Sequence, residues 1–227
     1  MRATTDEQDI AKLSSQIDFD DLFTTDDRVL KALRVLKWDA PLGDDVELAS
    51  QIISRAPRTG SPLDVAEYFR RVETRTKDGV YSFTSEWGHG RSNPIIIAFF
   101  GAAGSVDHGD QDETPWCAAF VNWCIERVGG KGTKSAMSGS FRKSGNRTVR
   151  QDPRPGDIAV FRDSNRRLGN AGYGHVGFYV GDTGRHISVL GGNQSNRISY
   201  SEYKKRAWWF SQKPRYMYSI AVESFFD

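Results

Sequence analysis

The apolar residues of this chain change period once, at "PRPGD" (residues 153–157), and that single switch limits the folds open to it. Before it, apolar positions recur at helical spacing. "TTDDRVLKALRVLKW" offers a Thr cap, an acidic first turn and Val29, Leu30, Leu33 and Leu36, and "GDDVELASQIISRA" repeats the style. Ser61-Pro62 then reads as the cap and first position of "PLDVAEYFRRVET", "SNPIIIAFFGAAG" begins a further helix, and "TPWCAAFVNWCIERVGG" runs from Thr114 to a Gly-Gly stop. After the switch, "DIAVFRD", "HVGFYVGD" and "HISVLGGNQ" are short and β-rich. "DTG" between the last two is a tight hairpin loop in which Gly184 takes a positive φ. Helices first and antiparallel strands afterwards make an α+β fold without internal repeats.

"RAPRTGSP" (residues 55–62) concentrates Pro, Gly and Ser, which divides the chain into an acidic helical segment, residues 1–60, and a domain over residues 61–227. The charge follows this division: residues 1–60 hold 8 Lys+Arg against 12 Asp+Glu, and the remainder 23 against 17. The basic residues of the second part are scattered and accompany no nucleic-acid motif, so nucleic acid is not an expected partner. No run reaches the roughly 18 apolar residues of a membrane span, and the acidic N-terminus lacks the basic and apolar regions of a secretory signal.

Both cysteines lie in "DETPWCAAFVNWC". Seven residues apart on one helix, they are separated by about 10.5 Å along its axis, beyond the roughly 7 Å limit for a disulfide. Two thiols and four histidines fit no closed zinc spacing, so no metal or other cofactor is implied. With Thr114 as cap and Pro115 at the first position, Cys117 falls at the third. There the helix dipole favours thiolate, and unpaired N–H groups face a developing oxyanion. Cys124, inside the apolar run, is read as packing.

A thiol so placed needs a base, and His175 opens a strand between glycines that leave its ring accessible. A third group should orient the imidazole, and the partner strand ends in "LGGNQ". Two registers are open. Gly181 opposite Arg185 puts Asn193 on the face of His175, whereas a one-residue shift that matches Val176, Phe178 and Val180 with Ile187 and Val189 favours Gln194.

Over residues 64 to 216 the blocks "ETPWCAAFVNW", "PGDIAVF", "GHVGFYVG" and "LGGNQS", in this order, resemble the papain-like cysteine peptidases of the NlpC/P60 and CHAP superfamily. The resemblance implies a papain-like fold with N-terminal helices packed on an antiparallel sheet. It further implies a peptidoglycan hydrolase that cleaves an amide bond in or next to the stem peptide, with Cys117 as nucleophile and His175 as base. Many CHAP domains carry a Glu two residues before an Asn at the end of the third strand. Those positions match Gly191 and Asn193 here, which leaves Asn193 as the third catalytic residue of a Cys-His-Asn arrangement. Gln194 and Trp116 are then expected to line the substrate pocket.

Other clusters read more plainly. "DHGDQDE" (residues 107–113) lacks EF-hand spacing and reads as a solvated acidic loop, and Gln111 is a weak oxyanion candidate. His89 and His186 read as surface or packing residues, and "AWWF" and "YMYSIAVESFF" as core aromatics. The expected route to the cell wall, without a signal peptide, is lysis or a specialised secretion apparatus, in the second case with an immunity protein as partner. Two other readings of the same residues are a protein-modifying transglutaminase or deamidase and a non-catalytic binding module.

Overall fold

The computed structural model describes residues 43–88, 90–104, 112–143, 152–163, 165–204 and 217–220. The helices come first: α1 Gly43–Ser54, α2 Pro62–Arg70, α3 Pro94–Ala102, α4 Cys117–Arg127 and the short α5 Ser140–Lys143. The strands follow: β1 Ile158–Arg162, β2 Gly174–Asp182, β3 His186–Gly191, β4 Ser199–Lys204 and β5 Met217–Ile220, with one short helix, α6 Arg166–Ala171, between β1 and β2. They form one five-stranded sheet in the order β4-β3-β2-β1-β5, with every neighbour antiparallel. The fold is α+β, as the period switch at residues 153–157 requires.

Local chemistry sets the helix ends. At α2 the Ser61 hydroxyl accepts the N–H of Asp64 while the Asp64 carboxylate accepts the N–H of Ser61, a complete capping box with Pro62 at the first position. The Asn93 side chain caps α3 by accepting the N–H of Ile95. Past the end of α4, Gly129 has φ +87° and Gly130 donates its N–H to the carbonyl of Ile125, which is the expected Gly-Gly stop. At the start of α4 the structure differs from expectation: Trp116, not Thr114, is the N-cap, without a side-chain cap, and Cys117 is the first helical residue rather than the third. Trp116 sits at φ −110° and ψ 11°, outside the helical well, so the helix begins only after it.

α4 lies at the centre. Its Phe120, Val121, Trp123 and Ile125 share one core with α2, α3 and the residues Ile158, Val160, Val176, Phe178 and Leu190 on one face of the sheet. Phe69, Phe99, Phe120 and Trp123 meet there edge to face, with ring centroids 5.2 to 6.4 Å apart. Ala49, Ile52 and Ile53 of α1 join the same core, and Arg127 of α4 donates to the carbonyls of Ile53, Ser54 and Ala56. The helix 43–54, placed by its sequence in the N-terminal segment, thus packs with helices beyond residue 60. The opposite face of the sheet carries a second cluster, Ala159, Phe161, Tyr179, Ile187 and Val189, with Tyr203 packed against it.

The β2–β3 hairpin turns as expected: Gly184 has φ +79°, its N–H is accepted by the Asp182 carboxylate, and Thr183 donates to the carbonyl of His186. Its register is neither of the two that spacing allowed. Asp182 pairs with Ile187 and Gly181 with Ser188, then a bulge shifts the ladder so that Tyr179 pairs with Val189 and Phe178 with Leu190. Pairing on this side of β2 stops at Phe178, so the start of β2, with His175 and Val176, is left without a ladder partner from β3.

Candidate active site

The open end of β2 is where α4 begins. The backbone N–H of Val176, the residue after His175, donates to the Cys117 thiol, and the N–H groups of Ala118 and Cys117 itself also point at the sulfur. The helix start and the strand start therefore meet, and they bring the thiol of one against the residue next to the imidazole of the other. Both side chains are largely buried, with exposures of 5% for Cys117 and 7% for His175. Burial pushes the Cys117 thiol up to about 11, and the three N–H groups oppose this only in part. The helix start was expected to favour thiolate; in the resting protein desolvation outweighs it, and the proton stays on sulfur at neutral pH.

Glycines make the approach possible. A Cβ on Gly192 would stand 2.4 Å from the Trp116 ring, and one on Gly174, where φ is +155°, would stand 1.9 Å from the carbonyl oxygen of Phe161. Gly192 lets the chain leaving β3 pass over Trp116, and Gly174 lets β1 close on β2 directly before His175.

The other predicted site residues are placed as follows. Trp116, expected against substrate, is fully buried and packs on Phe99 and Phe120 with ring centroids 6.3 and 6.4 Å away, so it walls the core and not a surface. Gln194, also expected in the pocket, is buried with its amide fully engaged. Its Nε2 donates to the carbonyls of Val189, Gly191 and Ser199, and its Oε1 accepts the hydroxyl of Tyr203 at 2.9 Å. Asn193 is half-buried at φ +55°, in a turn whose Ser195 and Asn196 are also left-handed. His175 Nε2 and the Gln194 amide both border Gly191: a Cβ there would lie 3.4 Å from each.

Asp112, read as part of a solvated acidic loop, is fully buried and accepts the backbone N–H groups of Trp87 at 2.7 Å and Asn93 at 2.8 Å. It ties the segment entering α4 to the turn before α3, and burial raises its carboxyl above the ordinary range. Only the Asn-Pro start of α3, whose free N–H groups need an acceptor, hinted at this role. Cys124 is fully buried within α4, as a packing residue should be, and its thiol is pushed well up. His186 stands at the start of β3 opposite Lys204, on the far end of the strand from the thiol. Gln111, His89 and the aromatic run "AWWF" lie outside the described residues. Among the described residues no group of three His, Cys, Asp or Glu is arranged to hold a metal, and no helix is long and apolar enough to cross a membrane.

Residues 109–193 match the family model described as CHAP domain. Over this stretch the chain is similar to CHAP domains. The match supports assigning this stretch to the CHAP and NlpC/P60-like superfamily of cysteine peptidases and amidases, whose CHAP members are typically hydrolases acting on peptidoglycan. The CHAP stretch takes in Cys117, His175 and Asn193 and ends before Gln194 and β4. No curated protein and no solved structure matches the chain.

Proposed function

We propose that the chain is a peptidoglycan hydrolase that cleaves an amide bond in or next to the stem peptide, with Cys117 as nucleophile and His175 as its base. The observation that carries this reading is the meeting of α4 with the open end of β2, where the Cys117 sulfur accepts the N–H of the residue adjoining His175. The CHAP match supports the substrate class.

In this mechanism the thiol, protonated at rest, gives its proton to His175 as sulfur attacks the amide carbonyl. The carbonyl oxygen becomes negative at the start of α4, where the Cys117 N–H and the helix dipole face it. His175 protonates the leaving amine, a thioester remains on Cys117, and His175 then takes a proton from water as the thioester is hydrolysed. No cofactor takes part in any of these steps. The resemblance assigns the orienting role to Asn193, with Gln194 as its alternative; the Gln194 amide and His175 Nε2 both border the Gly191 Cα. In this reading the enzyme meets the cell wall through lysis or specialised secretion.

Mass spectrometry of the fragments that the protein and its Cys117→Ala variant release from purified peptidoglycan tests the reading. New amine and carboxyl termini with the wild type alone are expected, and they name the bond. A folded wild type that releases nothing from several peptidoglycan chemotypes, or that joins a free amine donor to protein glutamines instead, contradicts it.

A further inference from the structure

We infer that Tyr203, beyond the CHAP stretch, is a positioning residue for His175 and holds the imidazole through ring packing that Gln194 anchors. The inference deepens the proposed function and rests on the role given there to His175.

β4 is separated from β2 by β3, yet the Tyr203 side chain reaches across the sheet face on which His175 stands. Its ring lies 4.3 Å from that of Phe161 and 5.8 Å from the imidazole, tilted to them by 35° and 32°, and Phe161 is itself 6.1 Å from the imidazole at 33°. Three rings from three strands therefore lean on one another, and the two carbocyclic rings limit rotation of the imidazole about its Cβ–Cγ bond.

The position of the Tyr203 ring is set at its far end. The Gln194 amide has one orientation open to it, because its Nε2 faces the carbonyls of Val189, Gly191 and Ser199, and a flipped amide would oppose oxygen to oxygen at each. Its Oε1 must then accept, so the Tyr203 hydroxyl donates. The same amide and His175 Nε2 both lie 3.4 Å from the point where a Cβ on Gly191 would stand, so the amide and the imidazole edge border one space over a bare Cα. Phe161 and Tyr203 thus lean on the imidazole, and the Gln194 amide that anchors Tyr203 borders the same space over Gly191. These neutral groups restrict its direction through packing.

The test is the pH dependence of Cys117 alkylation by iodoacetamide, which needs no substrate, read beside fragment release from peptidoglycan. Wild type, His175→Ala, Tyr203→Phe and Tyr203→Leu are compared, with folding checked by circular dichroism and thermal unfolding. The wild type should show a rate component near neutral pH that His175→Ala removes. Tyr203→Phe, which keeps the ring but loses its anchor, should lower that component roughly threefold, and Tyr203→Leu about tenfold or more, with kcat falling in step and KM unchanged. A His175-dependent component that is unaltered in both Tyr203 variants, or one absent from the wild type, overturns the inference. Should Tyr203→Leu fail to fold, Tyr203→Phe alone decides. A wild type with the full alkylation profile that releases no peptidoglycan fragment counts against the proposed function and leaves Tyr203 as the positioning residue of a cysteine site of another kind.

Discussion

Cys117 stands under two opposed influences, and only one of them could be read from its neighbours in the chain. The helix start and its N–H groups follow from "TPWCAAF", but the burial that dominates comes from β2 closing over the sulfur, which no local pattern encodes. The sign of the pH effect follows. The folded protein holds the thiol proton up to about 11, against an ordinary value of 9.0, so the associated stability is complete below pH 9 and is lost as pH rises through 11. Urea unfolding at pH 8 and pH 10.5 should show the wild type losing about 2 kcal/mol more than Cys117→Ala between the two. Gly192 makes a second prediction at this scale. A Cβ there would meet the Trp116 ring at 2.4 Å, so Gly192→Ala should cost about 1 to 3 kcal/mol in the same assay. The burial of Trp116 was likewise hidden, since a Trp before a reactive thiol reads equally well as wall or core until the packing partner, a glycine 76 residues later, is in place.

At the scale of elements, legibility followed how local the determinants are. Ser61-Pro62 announced α2, and the capping box it forms is complete, so Ser61→Ala should lower stability by about 1 kcal/mol, read as a drop in the midpoint of thermal unfolding, while Ser61→Thr restores most of it. The hairpin at Gly184 was equally plain. The register of β2 on β3 was not, because a bulge between Tyr179 and Gly181 adds one residue to one strand, and alternation of apolar residues carries no mark of that insertion. Beyond the bulge the ladder ends at Leu190, Asn193 turns into a left-handed conformation, and Gln194 folds back to bond the carbonyls of Val189 and Gly191. Asp112 was misread for a related reason, since the N–H groups that donate to it belong to a turn that only the tertiary fold brings to it.

Across the whole molecule, the order of elements settles the architecture and, with it, where chemistry can occur. Helices precede strands, α4 runs through the middle of the core, and its first residue lies against the one stretch of β2 that β3 does not pair. The packing of two layers thus sets the thiol against the backbone of Val176, next to His175, and Cys117 and His175 had each been singled out in the sequence by position at the start of an element. The central claim is that Cys117 forms a thioester with the substrate. The most direct measurement is the intact mass of the protein, quenched in acid within the first turnovers on soluble peptidoglycan fragments, followed by peptide mapping. The account predicts an added mass equal to the acyl fragment, confined to the peptide containing Cys117 and absent in Cys117→Ala. Fragment release without any adduct under conditions that slow deacylation, or an adduct carried on Cys124, would contradict it.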